Sequence, residues 1–163
     1  MKRIGFVIPY FGKWPLWFPA FLASCKTNPT IDWLFFTDCD IPNPKPDNVH
    51  FYPSSLQEIR DLANEKIGIE VNLQSPRKLC DLKPTYGSLF EDYLKNYDFW
   101  GFCDIDVIWG DIRAFITDDM LDQFDLVSST KKNISGHFTI LRNNAFHRSL
   151  YQSHNIYKEL FKQ

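Results

Sequence analysis

Cysteine is scarce and unpatterned. The four, at 25, 39, 80 and 103, form no Cys-x-x-Cys pair, which argues against a disulfide framework and against a zinc site. They read as small, mostly buried thiols of a reducing compartment. Charge of one sign is also lacking: 18 basic against 20 acidic side chains give a formal charge of −2. No sequence-wide attraction to nucleic acid or to an anionic bilayer follows, which leaves open only a local patch and peripheral association. No apolar run reaches the ~18 residues of a membrane span. Lys2 and Arg3 ahead of Leu22-Ala23-Ser24-Cys25 imitate an export leader, but Gly12, Lys13 and three prolines interrupt the apolar stretch that a leader needs. A cytoplasmic location is expected, with the inner face of the membrane as an alternative site.

What the chain does have is enough length and apolar content for one domain. It has 163 residues, 44% hydrophobic and 23% charged, and neither disorder nor a fibrous repeat fits that balance. Aromatics are abundant at 17%; they build cores and also make stacking platforms, so composition alone names no ligand.

Ile4 to Ile8 is a continuous apolar run stopped by Pro9, the pattern of a strand buried on both faces. A helix started by Pro15 or Pro19 and ending near Asn28-Pro29 follows, then a second strand over 31–37 closed by Asp38 and a weaker third over 49–52. Ser55 and Glu58 form a capping box for a helix that carries Leu56, Ile59, Ala63 and Ile67 to Gly68. Ser75-Pro76 starts another helix, which Pro84 breaks before further turns around Leu89 to Leu94. A strand from Asp98 to about Ile105, a cap at Asp111, and strands over 125–128 and 137–141 complete the pattern. Strands alternating with helices predict a single α/β domain over 1–163, with a mainly parallel sheet and a ligand site beyond the carboxyl ends of its strands, after residues 8, 37 and 103.

The sharpest chemical feature is Asp104-Ile105-Asp106 at the end of an apolar strand. Side chains two apart on extended backbone point the same way, so these carboxylates can share a cation, and they repel each other unless a cation or a basic partner neutralises them. Mg²⁺ or Mn²⁺ suits such oxygen ligands and commonly completes its shell with substrate phosphate. Lys78 and Asp81, three apart, read as an ordinary surface pair. His137, after Ser135-Gly136, is open to a structural role, to metal or phosphate contact, or to acid–base work.

Three blocks, KLCDLKPTYGSLF (78–90), DFWGFCDIDVIWGDI (98–112) and SGHFTILRNN (135–144), resemble a bacterial glycosyltransferase-like family of capsular and surface polysaccharide synthesis. That family has the GT-A fold, a Rossmann-like α/β domain. The resemblance implies a metal-dependent transfer from a nucleotide-sugar donor, a UDP-sugar above all, to a glycan or lipid-linked acceptor. Asp106 becomes the chief metal ligand and Asp104 its helper at the ribose or a metal-bound water. Pro9, Tyr10 and Phe11 become the segment around base and ribose, and Asp38 either a reader of uracil or a plain turn residue. Lys78 and Lys83 become candidates for the diphosphate, and His137 a candidate at the transferred sugar or acceptor. The chain is short beside the GT-A domains it resembles, so its acceptor-side part is expected to be short or missing. Three other readings stand beside this one: a catalytically inactive nucleotide-sugar binder; a haloacid-dehalogenase-type phosphohydrolase, whose Asp-x-Asp normally comes near the start of the chain; and a purely structural or protein-interaction module, which would bind neither cation nor nucleotide.

Overall fold

The computed structural model describes residues 1–163. Strands β1 (Ile4–Tyr10), β2 (Ile31–Thr37), β3 (Val49–Pro53), β4 (Phe99–Cys103), β5 (Leu126–Ser128) and β6 (Phe138–Arg142) form one sheet in the order β3-β2-β1-β4-β6-β5. The first four run parallel, and β6 pairs antiparallel to both β4 and β5. The α/β class with a mainly parallel sheet is therefore as the alternation predicted.

Burial on both faces explains why the strands are almost wholly apolar. Ile4, Phe6 and Ile8 of β1, with Ile31, Trp33 and Phe35 of β2, enter one core together with Phe18, Phe21, Leu22 and Cys25 of α1 (Phe18–Lys26). Their alternates Val7, Leu34 and Phe36 enter the other core, with Ile59, Ala63 and Ile67 of α2 (Leu56–Ile67). The period of two is thus present but hidden, because both sides face protein.

α2 starts as its sequence predicts. The Ser55 N–H donates to Glu58 Oε2 at 2.7 Å and the Glu58 N–H to Ser55 Oγ at 3.2 Å. Gly68 ends the helix in the left-handed region, φ +76°, where a side chain would be strained. The segment after Ser75 breaks at Pro84 as expected but is cut into shorter pieces on both sides of it. It is a string of short turns: a 3₁₀ turn at Pro76–Lys78, α3 (Leu79–Leu82), a 3₁₀ turn at Lys83–Thr85, α4 (Tyr86–Leu89) and α5 (Glu91–Leu94). Pro84 interrupts the helical ladder, and the string instead lays Leu79, Leu82, Tyr86, Leu89, Phe90 and Leu94 onto the sheet. Gly87 lets α4 approach β4 closely, since a Cβ there would stand 2.4 Å from Trp100 Cε2.

Beyond β4, Asp111 caps a 3₁₀ turn by accepting from the Ala114 N–H at 3.2 Å, and α6 (Asp118–Gln123) leads to the short β5. Three of the four cysteines are buried and all are free; Cys80 is exposed. No helix is long and apolar enough to cross a membrane.

Candidate functional site

The chain leaves β1 towards β2 on one side and later returns past β1 to place β4 on its other side. The β1/β4 boundary is therefore the point where strand order reverses, and the carboxyl ends of the two strands diverge there into a crevice. A cleft of about 400 Å³ lies at that place. Its walls are Ile8 to Phe11 at the carboxyl end of β1, Cys103 to Asp106 at and beyond the end of β4, and Arg77, Cys80, Lys83 and Tyr86 from the short-turn segment. A more capacious groove of about 1080 Å³ runs beside α1, but prolines dominate its walls and no cluster of charges converges there. Arg77, Lys83, Asp104 and Asp106 meet at the switch point, which makes this cleft the candidate site.

β4 ends at Cys103, two residues before the expected boundary, so Asp104 and Asp106 do not share a side by strand alternation. The chain bends instead around Ile105, which is buried in the core beside α1, while Asp104 and Asp106 both line the cleft. The Asp104 N–H still donates to His137 O at 3.3 Å, one step beyond the paired residues Cys103 and Phe138. Antiparallel pairing of β4 with β6 thereby brings residue 137 against residue 104.

That juxtaposition decides how the acidic pair is neutralised. Lys83 Nζ bonds Asp104 Oδ1 and also donates to Gly136 O at 2.9 Å. His137 Nδ1 lies 2.7 Å from Asp104 Oδ2. A carboxylate only accepts, so Nδ1 carries the hydrogen of this contact, and the ring is 73% exposed. Both oxygens of Asp104 are therefore engaged within the protein. Lys83, 13% exposed on its side chain, has used two of its three donors, and one remains for the cleft.

The other predicted residues are placed as follows. Pro9, Tyr10 and Phe11 line the cleft; the Tyr10 hydroxyl donates to Lys13 O at 2.9 Å, and burial pushes its pKa up. Asp38 accepts from the Gly12 N–H at 2.8 Å, and Gly12 sits at φ +108°. Asp38 thus braces the β1 loop from behind and is not among the lining residues. The loop after residue 37 stays outside the cleft because β2 is on the far side of β1 from the switch point. Lys78 pairs with Asp81 at 2.7 Å, the surface bridge that their spacing suggests. Trp17, Tyr86 and Cys80 line the cleft without having been picked out. Trp17 is held there by its Nε1–H, which donates to Ile105 O at 3.1 Å across 88 residues of sequence, a contact that no local pattern announces.

Mg²⁺ and Mn²⁺ are commonly held by one or two carboxylates plus substrate phosphates. No group of three His, Cys, Asp or Glu side chains forms an all-protein metal cage. Asp106 is exposed in the cleft, and Asp104 is committed to Lys83 and His137. Asp106 is the cleft carboxylate left to hold an ion that brings its own phosphate ligand, both oxygens of Asp104 being taken by Lys83 and His137.

Over residues 6–163 the chain matches a family described as a family of unknown function, DUF6625. No curated protein matches it.

Proposed function

Since the chain belongs to DUF6625, a family of unknown function, we propose its activity from the cleft: it is a glycosyltransferase of GT-A type. Its donor is a nucleoside-diphosphate sugar, best a UDP-sugar, and its acceptor a glycan or lipid-linked hydroxyl in surface-polysaccharide assembly. One observation carries the reading. At the strand-order switch point of a Rossmann-like sheet, a single cleft gathers aromatic walls, two cations and two carboxylates.

Each wall matches a part of such a donor. Tyr10, half-buried, offers apolar surface to base and ribose, while Phe11 is buried in the core behind it. Arg77 and the free donor of Lys83 face the region where a diphosphate carries its charge. As the glycosidic bond breaks, negative charge develops on the departing diphosphate, and fixed cations there stabilise the transition state more than the ground state. A divalent ion held by Asp106 would add Lewis-acid stabilisation of the same charge. Lys83 meanwhile keeps Asp104 in place, and Asp104 in turn fixes the ring of His137 through Nδ1.

A second reading, a nucleotide-sugar binder without turnover, is favoured by the engagement of both Asp104 oxygens. Thermal denaturation with a nucleotide series, with Mn²⁺ and with chelator, tests the donor site. At a hundredfold excess of UDP over its Kd, stabilisation of about 2.7 kcal/mol is expected. Asp106→Asn should remove the Mn²⁺-dependent part while the unliganded protein stays within about 0.5 kcal/mol of wild type, because the side chain is exposed. Equal shifts for every nucleotide, or for none, would remove the reading. UDP release from UDP-sugars then separates the enzyme from the binder.

A further inference from the structure

Between the end of β4 and the 3₁₀ turn at Ile112–Ala114 the chain runs without helix or strand. No backbone N–H from Ile105 to Gly110 donates to a backbone carbonyl, and no carbonyl of that stretch accepts from a backbone N–H. Two side-chain donors hold it instead, and both flank α1. The Trp17 Nε1–H donates to Ile105 O at 3.1 Å, and the Asn28 amide donates to Gly110 O at 2.8 Å. Asn28 is buried and also accepts from the Ile112 N–H at 2.9 Å. Trp17 is the N-cap of α1, and its carbonyl accepts from the N–H groups of Ala20 and Phe21. Its backbone is thus fixed in the first helical turn, and only the indole crosses to the acidic loop.

The indole bond bears directly on Asp106. Ile105 O belongs to the planar peptide whose nitrogen is that of Asp106, so a donor fixed on α1 sets the plane from which the Asp106 side chain departs. Trp17 and Ile105 both line the cleft, one from the β1 side and one from the β4 side, and the bond spans the crevice where the two strands diverge. We infer that Trp17 is a positioning residue: its indole N–H clasps the acidic loop and presets the Asp106 carboxylate for a divalent ion that arrives with phosphate. The ion half of this inference rests on the glycosyltransferase reading, and the clasp rests on the geometry alone. A partner that orients a metal ligand typically governs metal affinity by about 10–100-fold. Trp14 supplies the contrast within the same loop. Its Nε1–H donates to Asp40 O at 2.7 Å, and it is not among the residues that line the cleft.

The test compares Trp17→Phe, which keeps a ring and loses the donor, with Trp14→Phe, which loses a similar bond elsewhere in the loop. In the full chain, cleavage before Asp106 by an Asp-specific endoproteinase should be about fivefold to tenfold faster in Trp17→Phe and unchanged in Trp14→Phe. Mn²⁺ affinity, read by electron paramagnetic resonance in saturating UDP, should weaken at least about tenfold in Trp17→Phe. UDP binding in the presence of chelator should stay as in wild type. On an Asp106→Asn background, Trp17→Phe should cost Mn²⁺ binding nothing further, which a general loosening of the fold would not reproduce. Digestion of Trp17→Phe at the wild-type rate overturns the inference, and so does equal loosening in Trp14→Phe. Mn²⁺ effects that add to those of Asp106→Asn, or unchanged Mn²⁺ affinity in Trp17→Phe, overturn the positioning of the carboxylate. Equal loss of UDP binding with chelator overturns it too, because the indole would then be a nucleotide contact. If digestion behaves as expected while the wild-type chain binds no Mn²⁺ with UDP, the clasp stands and the donor-site reading falls.

Discussion

Replacing Lys83 by alanine isolates the contact on which the charge balance of the cleft turns. A hydrogen bond to a charged group contributes about 1.5–3 kcal/mol, against about 0–1 kcal/mol for an exposed ion pair. Lys83 and Asp104 fall between those limits, with side chains 13% and 30% exposed. Asp104 retains His137, and Gly136 O is at an exposed residue where water can replace the lost donor. The expected loss is therefore about 2 kcal/mol, which in a domain of this size lowers Tm by about 4–8 °C. Asp104→Asn removes the same pair from the other side. The double variant should fall short of the sum of the singles, with a coupling of about 1–2 kcal/mol. Guanidinium and thermal unfolding of the four proteins close the cycle. If Lys83→Ala melts within about 1 °C of wild type, or the two effects simply add, Lys83 does not neutralise Asp104 and the account of the acidic pair fails.

Two further outcomes test the scaffold. Gly87→Ala should cost about 1–3 kcal/mol by overpacking, because its Cβ would meet Trp100 Cε2 at 2.4 Å and Trp100 is fully buried; denaturant midpoints read the loss, and an unchanged midpoint would mean that α4 does not sit against β4. The backbone and hydroxyl donors of Ser55 hold the Glu58 carboxyl below its usual range, so its folded pKa lies under the unfolded one. That contribution is present above the ordinary carboxylate pKa of about 4.3 and disappears as pH falls through the lowered folded value. In Glu58→Gln this part of the acid dependence should be absent, seen as a flatter plot of unfolding free energy against pH over that window.

Much of the scaffold is readable from neighbours in the chain. Runs such as Ile4 to Ile8 and Ile31 to Phe36 announce strands covered on both faces, and Ser55 with Glu58 announces a helix start, because each signal lies within one element. The 76–94 segment is partly readable: Pro84 announces the break, but the division of each side into short 3₁₀ and α turns shows only in the packing against the sheet. The early end of β4 is of the same kind, since the burial of Ile105 that bends the chain is a contact with the distant α1 layer.

Since periodicity and capping are local physics, the order of apolar runs and breakers was enough to determine an α/β domain and to place Pro9 to Phe11 and Asp104 to Asp106 at or near strand ends, although β1 runs on through Pro9 to Tyr10 and β4 stops short of Asp104. Which of those ends meet was decided by the tertiary structure. The β1/β4 neighbourhood sets Phe11 opposite Asp104 and leaves Asp38 behind the wall, and the β4/β6 pairing delivers His137 to a carboxylate 33 residues earlier. Lys83 reaches the same carboxylate across 21 residues by way of three short turns and β4. Charge compensation depends on distance in space, and sequence spacing fixes that distance only within a single helix or strand.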